Sequence, residues 1–345
     1  MQVKDAKEIA RKWVLEIAAG APGFHGAYLA GSINWLPEEA LLPATSDLDI
    51  NVVYLDSDRP NERSKFVYGD VLIEVTPLSL DELQPANRVL AHYHLAGGLA
   101  TSSILMDPSG RLTELQVAVS RGYARRRWVR QRCRHARQRV LKGLATLDEA
   151  DPFEQQVVSW LFPTGVTAHV LLVAGLRNPT VRDRYTAVRQ LLEEHSQIQF
   201  YETLLQLLGC ERMSRASVES HLSSLEEIFD VATAAIQSPF SFSSDISEIA
   251  RPLAINGSRD LINRGLYREA VFWIAVTYSR CQTVLAVDAP ELRAKFDTGY
   301  RQLLADLGIY SFIDLQQRSE RVRAHLPRVW RVAEAIMTRA PGIAE

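Results

Sequence analysis

The segment Asp47-Leu48-Asp49-Ile50-Asn51 carries acidic side chains at alternate positions. Residues two apart on a β-strand share a face, so Asp47 and Asp49 should point together while Leu48 and Ile50 enter a core. Two neighbouring carboxylates repel each other unless a cation lies between them. Mg²⁺ takes oxygen ligands and commonly shares them with substrate phosphates. The spacing therefore indicates a metal site, with a solvated acidic strand edge as the alternative.

A third carboxylate, Glu74, lies in the otherwise apolar segment Val71–Thr76. Strands that are apolar on both faces are normally buried, and a lone buried carboxylate is costly without a partner or a metal. This strand follows the Asp47–Asn51 strand closely, so the two are candidates for sheet neighbours. Glu74 is predicted to join the metal site or, alternatively, to pair with an arginine such as Arg88.

A small-residue turn, Gly31-Ser32, follows the short apolar run Ala27–Ala30. Glycine lets the backbone approach a ligand closely, and successive N–H groups in such a turn can bind phosphate oxygens. Ser32 adds a hydroxyl donor. Taken by itself, a Gly-Ser pair has little specificity.

Together, a strand ending in Gly31-Ser32, the strand Asp47-Leu48-Asp49 and Glu74 on a later strand resemble the nucleotidyltransferase superfamily with the DNA polymerase β-like palm. The nearest resemblance is to aminoglycoside and lincosamide nucleotidyltransferases, which also carry a C-terminal helical domain. The motifs cover about the first third of the chain. The spacer from Ile33 to Ser46 is slightly longer than usual, and a glycine often found after the Gly-Ser turn is absent.

The resemblance implies a role for each residue of the motif. Gly31 and Ser32 would hold the β- and γ-phosphates, and Asp47 and Asp49 would bind Mg²⁺. Glu74 would complete the shell of a second Mg²⁺ or accept the proton of the attacking hydroxyl. In such sites two cations clamp the attacking and leaving oxygens of an in-line displacement.

The implied function is Mg²⁺-dependent transfer of a nucleoside monophosphate, most simply AMP from ATP, to a hydroxyl of a small-molecule acceptor. One alternative is a non-catalytic protein of the same fold that senses nucleotide. Another is a transferase acting on RNA or protein. The oligomeric state is left open.

The elements around these residues indicate an α+β N-terminal domain at 1–110, a small mixed sheet backed by helices. Strands are predicted at 27–30, 48–55, 65–68, 71–77 and 103–106, with helices at 5–19 and near 80–91. An all-α C-terminal domain at 111–345 follows, with helices at 111–147, 153–161, 166–176, 180–195, 198–208, 217–237, 259–286, 290–306 and 314–338. Its predicted role is acceptor binding and docking.

Charge is concentrated in one segment. Residues 121–142 contain ten basic residues and no acid, although the whole chain has a net charge of −2. The segment is interpreted as a helix that docks on acidic surface and contacts the nucleotide. Binding of a polyanion such as tRNA is the alternative, less favoured because base-stacking platforms need several aromatic side chains.

The 345-residue length allows two well-buried domains, and the near-neutral total excludes a generally basic nucleic-acid binder. Three widely spaced cysteines, Cys133, Cys210 and Cys281, favour reduced thiols in the cytoplasm. The stretch 155–176 lacks charged residues but contains Pro163 and Gly165, so a buried helix after a turn is favoured over a membrane span.

Several other residues could do chemistry but have simpler explanations. His92 and His94 are predicted to pack or cap rather than bind zinc, because no third ligand is near. Glu269 is an alternative base, and His169 is expected to be a core residue. A group of aromatic residues has helical spacing and most simply belongs to the core, although it could line an acceptor cleft. These residues are Tyr267, Phe272, Trp273 and Tyr278.

Overall fold

The computed structural model describes residues 1–43, 45–55, 60 and 64–345. Ala44, within the predicted spacer, lies outside them. The chain forms two compact units: the first contains Met1–His135, Leu172–Thr180 and Ala340–Glu345, and the second contains Ala136–Leu171 and Val181–Arg339. The architecture is mixed α+β with a small sheet and a mostly helical remainder.

The first unit contains a sheet in which the described residues form five strands. Their order across the sheet is β3-β4-β2-β1-β5. Strands β2 and β4 pair in parallel, and the other neighbours pair antiparallel. The strands are β1 (Phe24–Leu29), β2 (Leu48–Tyr54), β3 (Ser64–Tyr68), β4 (Val71–Ser79) and β5 (Ile104–Met106).

Both faces of this sheet are covered. One face packs Leu48, Ile50 and Ile73 into a core with the helix Val3–Glu16 (α1). The opposite face packs Tyr28 and Val53 into a second core. That second core also includes side chains from the helices Ala86–Ala91 (α2) and Arg111–Tyr123 (α4), and the short helix Leu95–Gly98 (α3) lies between them in the chain. Alternation along β2 therefore places Asp49 and Asn51 on the face that α2 and α4 cover.

The predicted domain division at 110 falls inside the first unit. Two side chains of α4, Leu112 and Val119, are fully buried in the second core of the sheet, which ties this helix to the strands. The helix Arg126–Ala145 (α5) follows, so the predicted continuous helix 111–147 is interrupted at Ala124 and Arg125.

The second unit is helical throughout its described elements. The predicted helix 290–306 is confirmed, and the others differ from the predictions at their ends. The helices are α6 (Phe153–Ala174), α7 (Arg184–Glu194), α8 (Gln199–Leu208), α9 (Arg215–Ala235), α10 (Gly257–Asn263), α11 (Tyr267–Asp288), α12 (Pro290–Asp306) and α13 (Phe312–Arg339). The predicted helix 259–286 is divided between α10 and α11, with a break at 264–266, and a π-helix at Pro252–Asn256 precedes α10.

The predicted turn at Pro163 and Gly165 is wrong, because α6 runs through both residues. A Cβ added to Gly143 would lie 2.6 Å from the Pro163 ring, and one added to Gly165 would lie 2.8 Å from the Phe272 ring. Close packing at both sites holds the helix together although an internal proline costs about 3 kcal/mol. Local propensity is outweighed here by tertiary packing.

The sequence favours Ser217 and Ser258 as helix N-caps, and the structure differs at both. Ser214, rather than Ser217, caps α9, because its side-chain oxygen accepts a hydrogen bond from the Ser217 N–H at 3.1 Å. Ser258 lies buried inside a helix, where its hydroxyl donates to the Ala254 carbonyl at 2.9 Å. Both serines bond to nearby backbone, which is the competition that makes serine caps hard to place from sequence.

Two helices of the described chain, α6 and α11, are long and apolar enough to cross a membrane. In each, most of the apolar window is buried within the protein, 83% in α6 and 72% in α11. Core helices of soluble proteins pass the same test, so length and composition are weak evidence for a span.

Candidate active site

Two of the predicted site residues, Asp49 and Glu74, meet on neighbouring strands, and an unpredicted residue, Lys65, joins them. In the parallel pairing of β2 with β4, Asp49 lies opposite Glu74. In the antiparallel pairing of β3 with β4, Glu74 lies opposite Lys65. Residues directly opposite each other share a face, so Lys65, Glu74 and Asp49 form a row across the sheet. The prediction that the two acidic strands are neighbours is confirmed.

Gly31 joins this row from the end of β1. Its backbone has φ +67° and ψ −155°, a region that only glycine adopts readily. A Cβ at Gly31 would lie 1.9 Å from Oδ2 of Asp49, so the carboxylate lies directly against the glycine backbone. Asp49 can therefore occupy this position only because Gly31 has no side chain.

Two hydrogen bonds fix the turn. The N–H of Ala30 donates to the Asp49 carbonyl at 2.9 Å, which extends the pairing of β1 with β2 to the start of the turn. The side-chain amide of Asn34 donates to the Leu29 carbonyl at 2.7 Å. Ser32 begins a 3₁₀ helix, Ser32–Trp35, and is partly exposed. The Gly31-Ser32 turn is thus held from both sides next to the acidic row.

Lys65 bridges two of the carboxylates. Its Nζ lies 3.2 Å from Oδ2 of Asp47 and 3.0 Å from Oε2 of Glu74. The side chain of Lys65 is only 4% exposed, whereas those of Asp47 and Glu74 are 24% and 17% exposed. The carboxylates face partly toward solvent and the ammonium group lies beneath them.

The donor set fits a divalent cation only in part. The carboxylate oxygens of Asp47 and Asp49 are the ligands that Mg²⁺ prefers. Asp47 and Glu74 each contact the Lys65 ammonium through one oxygen, but Glu74 is the poorer ligand candidate, because it lies directly opposite Lys65 in the sheet and its side chain is less exposed than that of Asp47. Over residues 1–43, 45–55, 60 and 64–345, no group of three His, Cys, Asp or Glu side chains is placed to hold a metal. An ion on the two aspartates would take its other ligands from nucleotide or water.

Sequence reasoning missed Lys65, although the sequence contains a signal for it. Gly69 and Asp70 have positive φ values of 56° and 63°, as in a two-residue type I′ hairpin turn. Such a turn fixes the register of the strands on either side and places Lys65 opposite Glu74. The suggested partner Arg88 instead donates to the Asp81 carbonyl at 2.8 Å.

The basic segment 121–142 has a buried and an exposed side. Arg132 is 1% exposed and donates to the carbonyls of Leu90 at 3.2 Å and Tyr123 at 2.7 Å. Burial lowers the pKa of this guanidinium. On the solvent side, the arginines of the first unit are Arg121, Arg125, Arg127, Arg130 and Arg134. Arg132 therefore anchors this segment through backbone carbonyls, while docking on acidic surface and contact with nucleotide stay predictions.

The histidine pair serves as a cap. His92 Nδ1 accepts hydrogen bonds from the N–H groups of His94 at 3.3 Å and Leu95 at 3.2 Å, at the start of α3. The His92 ring also packs against His135, with ring centroids 4.3 Å apart. These contacts agree with the capping and packing interpretation.

Glu269, the alternative base, lies in the core of the second unit. Its Oε1 accepts a hydrogen bond from the Tyr201 hydroxyl at 2.6 Å and lies 3.6 Å from Arg189. Burial, with the neighbouring Glu269 charge, raises the pKa of Tyr201. Glu269 is therefore held by a buried hydrogen bond and by an ion pair with the half-exposed Arg189, which favours a structural role. Phe272 and Tyr278 are also buried, as the core interpretation of the aromatic set requires, whereas Tyr267 and Trp273 are half-buried.

No protein-family model, curated protein or solved structure matches this chain. The resemblance to nucleotidyltransferases therefore depends on the motif residues and on their placement in the sheet.

Proposed function

We propose that this protein is a nucleotidyltransferase that transfers a nucleoside monophosphate, AMP from ATP, to a hydroxyl of a small-molecule acceptor. The observation that carries the proposal is the contact of the Gly31 backbone with the Asp49 carboxylate, beside Asp47 and Glu74. A nucleotide needs a backbone turn for its phosphates and carboxylates for its cation, and both lie here on adjacent strands. The pyrophosphate-release experiment described below is designed to identify the acceptor and the preferred base.

Each residue has a role in this proposal. Gly31 and Ser32 bind the β- and γ-phosphates through the turn, where no side chain blocks close approach. Asp47 and Asp49 orient the cation that accompanies the nucleotide. When bound, Mg²⁺ neutralises the phosphate charge and stabilises the leaving pyrophosphate. Positioning and charge neutralisation are the main requirements of phosphoryl transfer.

The reaction is a single displacement. The acceptor hydroxyl oxygen forms a bond to the α-phosphorus, and the bond from the α-phosphorus to the oxygen bridging the β-phosphate breaks. Pyrophosphate leaves with that oxygen. The hydroxyl proton passes to the Glu74 carboxylate, which is 17% exposed and can be reached by a substrate.

A second candidate, an RNA acceptor, is favoured by one observation. No acidic residue occurs between Glu114 and Asp148, so the sequence around the exposed arginines of 121–134 is uninterrupted in its positive charge. A polyanionic acceptor such as RNA is attracted to a surface of this charge. RNA binding that weakens steeply with salt and is lost in Arg127→Gln/Arg134→Gln would support this candidate.

The test is pyrophosphate release from ATP, GTP, CTP and UTP with Mg²⁺ and a panel of hydroxyl acceptors. We expect release with at least one nucleotide and acceptor, and its loss in Asp49→Asn. Binding of nucleotide without release would favour the sensing protein. Absence of nucleotide binding would contradict both interpretations.

A further inference from the structure

The Lys65 ammonium group lies between two of the three carboxylates predicted to hold a metal ion. Its Nζ contacts Glu74 Oε2 at 3.0 Å and Asp47 Oδ2 at 3.2 Å, so one ammonium group serves both carboxylates. Among the described residues no three-ligand metal group exists at this site or elsewhere. The positive charge in contact with these two carboxylates is the Lys65 ammonium group.

The backbone of the β3–β4 hairpin determines where the Lys65 side chain lies. The tight Gly69-Asp70 turn sets the register of β3 against β4, and Lys65 pairs directly with Glu74 in the ladder. A shift by one residue would turn Lys65 to the other face of the sheet, where Phe66 now packs in the core with α1. Burial of Phe66 thus holds the ammonium on the side of the carboxylates.

Electrostatics explains why the side chain stays in place. A buried ammonium group is costly unless it is paired, and Lys65 is 4% exposed with two carboxylate partners. The carboxylates in turn would repel each other without a cation between them. The ammonium group therefore offsets the repulsion between the carboxylates, and the carboxylates offset the cost of burying the ammonium group.

We propose that Lys65 is the resident cation of this site and takes the place of a metal ion at Glu74. It holds Asp47 and Glu74 in position, and it limits divalent-ion binding to the side of the site formed by Asp47 and Asp49. Lys65 is a positioning residue in this proposal. The assignment of the site as a nucleotide site rests on the proposed function, but ion binding can be measured without turnover.

Removal of the lysine charge should create a stronger metal site. In Lys65→Met, Asp47 and Glu74 lose their internal counter-ion and become available to an external one. We expect the full-length variant to bind Mn²⁺ roughly tenfold more tightly than the original protein. Lys65→Arg retains the positive charge and should keep the original affinity.

The experiment is a Mn²⁺ titration followed by electron paramagnetic resonance, without nucleotide. Lys12→Met is the matched control, because it removes a lysine from an exposed ion pair with Glu16 on α1. The double variant Lys65→Met/Glu74→Gln should return to the original affinity, since the gain requires Glu74. A merely structural role for Lys65 predicts lower stability with no gain in affinity, which would overturn the proposal.

A second measurement covers the case in which Lys65→Met does not fold. Glu74→Gln in the original background should leave Mn²⁺ affinity unchanged, because Glu74 is held by Lys65 and does not bind the ion. A loss of about tenfold or more in this variant would show that Glu74 is a ligand and that the proposal is wrong. If Mn²⁺ affinities follow the expectation but pyrophosphate release is never seen, the proposed function fails and the role of Lys65 stands.

Discussion

Gly31 and Asp49 are in contact across the β1–β2 pair, and a Cβ on the glycine would lie 1.9 Å from the aspartate Oδ2. The relationship links the two halves of the motif that the sequence presents 18 positions apart. Because Gly31 has no side chain, a turn suited to phosphate can lie directly against a carboxylate suited to a cation.

Gly31→Ala tests this contact. The alanine would require a backbone conformation that L-residues avoid and would displace the Asp49 carboxylate. We expect the free energy of unfolding to fall by about 1–3 kcal/mol and nucleotide affinity to fall with it. Gly110→Ala is the control, because Gly110 also has a positive φ of 76° but has no atom near the added Cβ. Equal effects of both variants on nucleotide affinity would contradict the importance of the contact.

Asp49→Asn tests the role of the carboxylate in the reaction. The amide keeps the size of the side chain but weakens cation binding, so the rate of pyrophosphate release should fall roughly 100-fold or more. The midpoint of thermal unfolding should change little, since one of several neighbouring negative charges is removed. Asp70→Asn, in the exposed hairpin turn, is the matched acid-to-amide control and should retain activity. An unchanged rate in Asp49→Asn would refute its assignment.

Nucleotide and cation should stabilise the protein cooperatively. Each supplies part of the other's binding shell, so the shift in the thermal midpoint with ATP and Mg²⁺ together should exceed the sum of the separate shifts. Differential scanning fluorimetry of the original protein and Asp49→Asn measures this difference. Strictly additive shifts would indicate that the two ligands bind at separate places.

The second unit should lose stability on acidification through Glu226. Burial acts to raise the pKa of this carboxyl, but hydrogen bonds and charges from Arg251 and Arg259 outweigh it and lower the pKa below the ordinary 4.5. A group with a lowered pKa in the folded state stabilises the protein above its ordinary pKa, and this contribution is lost as the pH falls through the folded value.

The expected result is a steeper loss of unfolding free energy below pH 4.5 in the original protein than in Glu226→Gln. Denaturant unfolding monitored by circular dichroism over that pH range measures it. Glu219→Gln, which removes an exposed carboxylate paired with Arg215 one turn away, is the control. Parallel pH profiles for the original protein and Glu226→Gln would contradict the prediction.

The sequence by itself determined the strands and the faces of their residues, because alternation along a strand follows from backbone geometry. Leu48 and Ile50 enter the core as alternation predicts, and Lys65 opposite Glu74 follows from a two-residue turn. Only the tertiary structure decided that β4 lies beside β2, that Asp49 lies against Gly31, and that α6 continues through Pro163. These features depend on contacts between segments distant in the chain, where packing energy outweighs the local preference that a sequence pattern reports.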